Sequence, residues 1–112
     1  MHELSIAQSI VATVAERARL EGWSRISGIG LTVGTLSGVD SHALSFCFEA
    51  AARGTIAAGA RLSITEPEGT ARCRECGTRF PVTFRIAPCP SCGTLTMDIE
   101  SGEELAIISI TS

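Results

Sequence analysis

Four of the five cysteines lie in two short matching motifs, and these motifs constrain the fold more than any other feature of the chain. Each motif has two cysteines separated by two residues and followed by glycine, and twelve residues lie between the two cysteine pairs. The turn after the first cysteine brings both sulfur atoms to one side, so each pair can bind one ion. The spacing predicts a closed structural zinc site, and nothing in the chain favours two disulfides. The four predicted ligands are Cys73, Cys76, Cys89 and Cys92.

Length, charge and apolar runs narrow the class of protein. The length of 112 residues predicts one domain, or one domain with a small insert. No signal peptide and no apolar run long enough for a membrane span are visible. With the metal-type cysteine spacing and a fifth cysteine left over, these features favour a reducing, cytoplasmic setting. The net charge of -3 argues against nucleic acid as a partner, because such binding rests on neutralising phosphates.

Helical and strand patterns alternate outside the cysteine region. Apolar residues recur at helical spacing in two segments and alternate with small or polar residues in two others. The last strand is apolar on both faces, so we expect it to rejoin the first part of the chain and to be covered on both sides. The predicted elements are helices at 4–20 and 41–54 and strands at 29–33, 61–65 and 104–110. The pattern predicts an α+β fold with two helices packed on a small mixed three-stranded sheet.

The cysteine region has a different character and predicts a zinc ribbon. It is rich in Arg, Pro, Thr and Cys, and short strands are predicted at 80–84 and 94–99. Apolar residues are too few for a separate core, so we expect the metal to supply most of the folding energy. The ribbon is therefore predicted to be an insert. The predicted domains are 1–67 plus 101–112 for the α/β part and 68–100 for the ribbon.

The start of the chain is the second feature with metal chemistry. The Met1 amine, the His2 amide nitrogen and the His2 imidazole can form fused chelate rings, and Glu3 can complete the ligand set. Such a nitrogen-rich, square-planar arrangement suits Ni(II) or Cu(II) better than zinc. Alternatively, His2 and Glu3 only begin the first helix, where an acidic residue is favourable. From these residues alone both interpretations stay open.

Several motifs together resemble the HypA/HybF family of nickel metallochaperones in hydrogenase maturation. The resemblance covers essentially the whole chain, in order. The motifs that carry it are Met1-His2-Glu3 before a long helix, Val33-Gly-Thr-Leu-Ser-Gly-Val39, Gly54-Thr55, Gly59-Ala-Arg-Leu62, and the two cysteine motifs before a final strand.

The resemblance implies a fold, two metals and two partners. It implies an α/β nickel-binding domain with an inserted zinc ribbon, transient Ni(II) at His2 with Met1 and Glu3 as neighbours, and structural Zn(II) at the four cysteines. The implied partners are a nickel-inserting GTPase and the large subunit of [NiFe]-hydrogenase, with urease as a second recipient in some organisms. We expect a monomer, or a weak or strand-swapped dimer.

Other candidate residues and functions have less support. Cys47 is expected to be a small buried residue, His42 an exposed residue in the first turn of the second helix, and Asp40 a helix cap. With two histidines, no Ser-His-Asp or Cys-His arrangement can be assembled, so an enzyme is not predicted.

The alternative function is a small zinc-ribbon protein that binds nucleic acid or acts as an adaptor. The net charge between Thr70 and Thr96, about +1 with zinc bound, disfavours nucleic acid.

Overall fold

A computed structural model describes residues 2–112 of the protein. The described residues form two helices and six strands: α1 (Glu3–Glu21), β1 (Gly28–Val33), α2 (Ser41–Ala52), β2 (Arg61–Thr65), β3 (Gly69–Cys73), β4 (Arg79–Val82), β5 (Met97–Ser101) and β6 (Leu105–Thr111). The strands form two sheets, with the orders β2-β1-β6 and β4-β3-β5. Among the described residues, neither helix has the length and hydropathy needed to cross a membrane.

The chain divides into two compact units. The first comprises Met1–Leu31, Val39–Ile64 and Ala106–Ser112, and the second comprises Thr32–Gly38 and Thr65–Leu105. Both helices belong to the first unit and the four motif cysteines belong to the second. The domain boundaries predicted above, at residues 67 and 101, stay a prediction.

The two helices form where their apolar stripes and end signals predict them. In α1, the amide of Trp23 donates to the Ala18 carbonyl (2.9 Å), and Gly22 adopts φ +74°, a left-handed conformation that favours glycine. In α2, the Asp40 carboxylate accepts from the Ala43 amide (3.0 Å), which confirms Asp40 as the cap. The buried stripes consist of Ala7, Ile10, Val11, Val14 and Ala18 in α1 and of Leu44, Phe48 and Ala52 in α2.

The first sheet is mixed, and β1 is its central strand. The Ser27 amide donates to the Thr111 carbonyl (2.8 Å), so the start of β1 meets the end of β6 and these strands run antiparallel. The Ser27 carbonyl accepts from the Arg61 amide (2.9 Å), so β1 and β2 begin side by side and run in the same direction. The predicted α+β class, with two helices, a small mixed sheet and a separate ribbon, is confirmed.

The ribbon sheet differs from the prediction in its central strand. Strand β3, which pairs antiparallel with both β4 and β5, was not predicted. Its buried positions are Gly69, Ala71 and Cys73, which are small residues and give no strong alternation of apolar side chains. The predicted strand at 94–99 begins later, at Met97, and the strand at 80–84 ends at Val82.

Two expectations about burial are wrong. The ribbon does have a small apolar core, and Leu36, from the segment before α2, completes it by packing with Phe80 and Val82. Phe84 does not belong to this cluster and is 74 % exposed. Strand β6, expected to be covered on both faces, has no buried residue among its seven. It is an edge strand of the first sheet, which leaves its outer side without a partner strand in the described chain.

Candidate metal centre

The two cysteine motifs adopt the same backbone geometry. In each, the amide of the glycine donates to the carbonyl of the first cysteine: Gly77 to Cys73 at 3.0 Å and Gly93 to Cys89 at 2.8 Å. Both glycines have positive φ angles, +75° and +76°, which other residues adopt only with strain. The glycine in each motif therefore closes a tight turn that directs two sulfur atoms to one side.

The four sulfur atoms converge. All four ligand atoms lie within 4.8 Å of one another, with Cys73 Sγ 3.5 Å from Cys92 Sγ and Cys76 Sγ 3.6 Å from Cys89 Sγ. A tetrahedral zinc ion with Zn–S bonds of about 2.3 Å separates its sulfur ligands by about 3.8 Å. A disulfide would require about 2.05 Å. The donor set therefore fits a closed four-thiolate zinc site without rearrangement of the backbone.

Hydrogen bonds stabilise negative charge on two of these sulfur atoms, those of Cys73 and Cys76. The amides of Glu75 and Cys76 both donate to Cys73 Sγ, at 3.4 and 3.5 Å. The Thr78 hydroxyl lies 3.2 Å from Cys76 Sγ. Hydrogen bonds from the side chain and backbone of Thr78 lower the pKa of the Cys76 thiol to about 6. Because thiolates are the metal-binding form, this lowered pKa favours metal binding by Cys76 at neutral pH. The Cys92 thiol differs: a backbone hydrogen bond from Thr94 lowers its pKa, but hydrogen bonds with the neighbouring cysteines and burial outweigh this and raise the pKa to about 12.

The centre is half covered by protein. Cys73 and Cys89 are 1 % and 4 % exposed and form part of the apolar cluster of the ribbon, whereas Cys76 and Cys92 face solvent. With four thiolates, the site has no open coordination position for catalysis. The geometry therefore supports a structural role.

The predicted nickel ligands lie at the start of α1, in the other unit. His2 is exposed and is the N-cap residue of α1, and its carbonyl accepts from the Ile6 amide (3.0 Å). The imidazole makes no capping hydrogen bond, so the helix does not require it. Met1, the third predicted nickel ligand, lies outside the described residues.

Glu3 makes a contact that the sequence did not predict. Its Oε2 accepts from the Asp40 amide (3.1 Å), which joins the first residues of α1 to the cap of α2 across 37 positions. This hydrogen bond lowers the pKa of the Glu3 carboxyl, so Glu3 is ionised at neutral pH. No sequence signal links Glu3 to Asp40, because the contact depends on how α1 packs against α2.

The remaining candidate residues, His42 and Cys47, are not among the predicted metal ligands. His42 is exposed in the first turn of α2, as expected, whereas Cys47 is only half-buried.

Three ribbon arginines form ion pairs with carboxylates: Arg74 with Asp98 (2.6 Å), Arg79 with Glu100 (2.8 Å) and Arg85 with Glu103. These pairs leave little positive charge for phosphate groups, which argues against the nucleic-acid alternative.

Comparison with known proteins agrees with this organisation. The chain is similar to hydrogenase maturation factor HypA of Chlorobaculum tepidum, with 56 % identity over 111 residues that cover 99 % of this chain and 98 % of the relative. The corresponding protein of Chlorobaculum parvum is 53 % identical over the same shares of both chains.

Two solved structures share the fold. The solution structure of the Ni metallochaperone HypA from Helicobacter pylori aligns with a TM-score of 0.68 and 23 % identity, and covers 99 % of this chain and 97 % of that one. A second structure, described as the solution structure of HypA protein, aligns with a TM-score of 0.73 and 24 % identity, over 99 % and 95 % of the two chains.

The family profile described as "Hydrogenase/urease nickel incorporation, metallochaperone, hypA" matches residues 1–112. The profile describes a metallochaperone and the relatives are named maturation factors, so the family is not one of enzymes. The chain belongs to the HypA family of nickel metallochaperones.

Proposed function

We propose that this protein binds one Ni(II) ion at the start of its chain and delivers it for maturation of [NiFe]-hydrogenase. The proposed ligands are the imidazole and amide nitrogen of His2, with the Met1 amine and Glu3 as neighbours. Nickel is cargo in this account, so the site must both take up and release it. The observation that carries the proposal is the exposed His2 followed by an anchored, ionised Glu3, in a family defined by nickel incorporation.

The helix start explains how a backbone nitrogen can serve as a ligand. The first amides of an α-helix have no carbonyl acceptor within the helix. The His2 amide therefore gives up no helical hydrogen bond when it loses its proton to a metal. Imidazole and deprotonated amide nitrogen together favour the square-planar geometry that Ni(II) adopts with nitrogen ligands.

The hydrogen bonds that Glu3 and Asp40 already make can moderate the affinity for nickel. The Glu3 carboxylate already accepts a hydrogen bond from the Asp40 amide (3.1 Å), so full coordination of nickel by that carboxylate would compete with this bond. Such competition lowers affinity relative to a free carboxylate and favours release to a partner. The Asp40 carboxylate is engaged in capping α2 and would have to leave Ala43 to reach a metal.

Nickel titration of the protein with its native N-terminus tests this proposal. His2→Ala should reduce nickel affinity by two orders of magnitude or more, because it removes a ligand and its chelate ring; roughly 100-fold corresponds to about 2.7 kcal/mol. His42→Ala, which removes the other histidine, is the matched control and should bind nickel as the wild type does. A chain extended before Met1 should also bind weakly. Wild-type affinity in both the His2→Ala and extended proteins would refute the site.

For the cysteine centre we propose one structural Zn(II), held by Cys73, Cys76, Cys89 and Cys92. The support is the sulfur spacing of 3.5 and 3.6 Å and the donation of two amides to Cys73 Sγ. Metal analysis should find one zinc per chain. Removal of zinc should disorder the ribbon and leave most of the helical circular dichroism intact, because both helices belong to the other unit. Loss of the whole helical signal would contradict this division.

Delivery requires partners, and the proposed ones are a nickel-inserting GTPase and the hydrogenase large subunit. The relatives named hydrogenase maturation factor support hydrogenase as the recipient, whereas the family description also includes urease. We place the protein in the cytoplasm, where free thiols persist and such assembly takes place. Loss of hydrogenase activity in a deletion strain, restored by wild type but not by His2→Ala, would support this recipient. Loss of urease activity alone would point to the alternative.

A further inference from the structure

Two large apolar side chains of the ribbon are exposed at one bend of the chain. Phe84 is 74 % exposed and Ile86 is 72 % exposed, and neither belongs to the apolar cluster of the ribbon. They follow β4 and flank Arg85, so a single residue separates them. Single exposed apolar residues are ordinary, whereas neighbouring large ones rimmed by polar residues are typical of a surface that binds another protein.

Arg85 anchors this bend to the rest of the second unit. Its Nη2 donates to the Leu36 carbonyl (2.8 Å), and its Nη1 forms an ion pair with the Glu103 carboxylate. Leu36 is itself buried in the ribbon core, so the bend is attached to a fixed point. A surface that is ordered before binding loses less conformational entropy when a partner binds. Phe84 and Ile86 are therefore presented on an anchored segment.

Carboxylates surround the bend. Gly69 of β3 pairs with Val82 of β4, so the residues before Gly69 lie beside those after Val82. The Ser101 hydroxyl donates to the Glu68 carbonyl (2.9 Å), which brings the end of β5 to the same place. Four exposed glutamates and one arginine lie in these segments, with a net charge of -3: Glu66, Glu68, Glu103, Glu104 and Arg85.

The other end of the ribbon sheet, near the metal centre, has no such excess of carboxylates. Arg72 and Arg79 are paired between β3 and β4 at that end, and Arg74 directly follows β3. Three acidic residues there balance the three arginines: Glu75, Asp98 and Glu100. We call Phe84, Ile86 and the four glutamates the distal patch, because they lie at the end of the sheet away from the metal centre. All of these residues belong to the second unit.

We propose that the distal patch binds a partner protein through a segment that combines apolar side chains with lysine or arginine. Phe84 and Ile86 supply apolar contact area, and the glutamates attract and orient the basic residues of the partner. Nucleic acids and anionic membrane surfaces do not fit, because the negative charge of the patch repels their phosphates. No residue of the patch is a proposed metal ligand, so this proposal stands or falls independently of the nickel site.

Binding of synthetic peptides tests the proposal. The probe is a fluorescent peptide of leucine and lysine, and the two reference peptides replace its lysines by glutamate or its leucines by serine. At low salt the probe should bind saturably and at least about tenfold more tightly than either reference peptide. Added salt should weaken its binding, because charges at an exposed surface are screened. A probe that does not bind, or that binds no better than the glutamate peptide, would overturn the proposal.

Two variants and a matched control locate the binding surface. Phe84→Ser and Ile86→Ser should each raise the dissociation constant of the probe about tenfold or more, because each removes apolar contact. Leu95→Ser is the control, since Leu95 is 60 % exposed in the same unit but precedes Thr96, whose carbonyl accepts from the Arg74 amide near the metal centre. It should leave the constant unchanged. Zinc content and circular dichroism check that the variants fold, and an unchanged constant in both serine variants of the patch would contradict the proposal.

A charge variant and two other occupants complete the test. Glu68→Lys should weaken binding of the probe about fivefold at low salt, and the difference from wild type should shrink at high salt. Phosphatidylserine vesicles and a second copy of the chain are the other occupants to be examined, by vesicle sedimentation and by analytical ultracentrifugation. Vesicle binding or self-association that Phe84→Ser abolishes would assign the patch to one of them and overturn the proposal.

Discussion

Replacing Leu36 by alanine should weaken zinc binding, although Leu36 is 37 positions before the first zinc-site cysteine. Leu36 is 6 % exposed and packs in the ribbon cluster with Ala71, Phe80 and Val82. It is one of only a few large apolar side chains in this small core. Leu→Ala substitutions at buried sites cost about 2–5 kcal/mol, with the larger values where the cavity cannot collapse.

This loss of folding free energy should weaken zinc binding by the same amount. Folding of a small metal-binding ribbon and metal binding are coupled, because the ligands are not preassembled in the unfolded chain. When the zinc-free ribbon is mostly unfolded, destabilisation of its folded state raises the apparent zinc dissociation constant in full. A loss of about 2–5 kcal/mol corresponds to a roughly 30- to 5,000-fold increase in that constant.

Competition with a chromophoric zinc chelator measures the constant. The wild type, Leu36→Ala and the control Leu95→Ala should be titrated under the same conditions. Leu95 lies in the same unit but is 60 % exposed, so its truncation should change the constant by less than about threefold. A Leu36→Ala protein that holds zinc within threefold of the wild type would show that the apolar cluster does not stabilise the zinc-bound ribbon.

Three further predictions concern the backbone and the helix starts. Gly34→Ala should destabilise the protein by more than about 2 kcal/mol in denaturant unfolding, because the added Cβ would meet the Gly102 carbonyl oxygen at 2.0 Å. Asp40→Ala should cost about 1 kcal/mol by loss of the Ala43 cap, whereas Asp40→Asn should retain most of it. The hydrogen bond from the Asp40 amide lowers the Glu3 pKa and therefore stabilises the folded protein at pH values above the ordinary pKa of 4.5. This stabilisation is lost as the pH falls through the lower pKa that Glu3 has in the folded state. Thermal melts of wild type and Glu3→Gln should therefore differ at neutral pH and converge in acid; equal melts at neutral pH would show that the bond contributes nothing.

The predictions that succeeded rest on local signals. The cysteine spacing predicted the convergence of four sulfur atoms, because a tight turn with glycine at positive φ is specified by neighbouring residues. Asp40 was predicted as a cap because it immediately precedes an apolar helical stripe. The resemblance to the HypA family, carried by motifs along the whole chain, is confirmed by the family profile and the relatives.

The features that were missed depend on contacts between distant segments. Strand β3 buries only small residues and gave no strand signal, yet it is central in its sheet. Leu36 lies in a glycine-flanked segment far from the ribbon in sequence, so its place in the ribbon core could not be inferred from the composition of 68–100. The contact of Glu3 with the Asp40 amide likewise requires the packing of α1 against α2. The apolar character of β6 was recognised, but its exposure was not, because hydrophobicity alone does not say what covers a strand.

X-ray absorption at the nickel edge, recorded on the protein loaded with one equivalent of Ni(II), tests the central claim most directly. The account predicts nitrogen and oxygen ligands that include one imidazole, with no sulfur, and loss of this signature in His2→Ala but not in His42→Ala. Nickel bound by sulfur would place the ion at the cysteine centre, and an unchanged spectrum in His2→Ala would remove the start of the chain from the site. Either result would contradict the division between a structural zinc ribbon and a nickel site at His2.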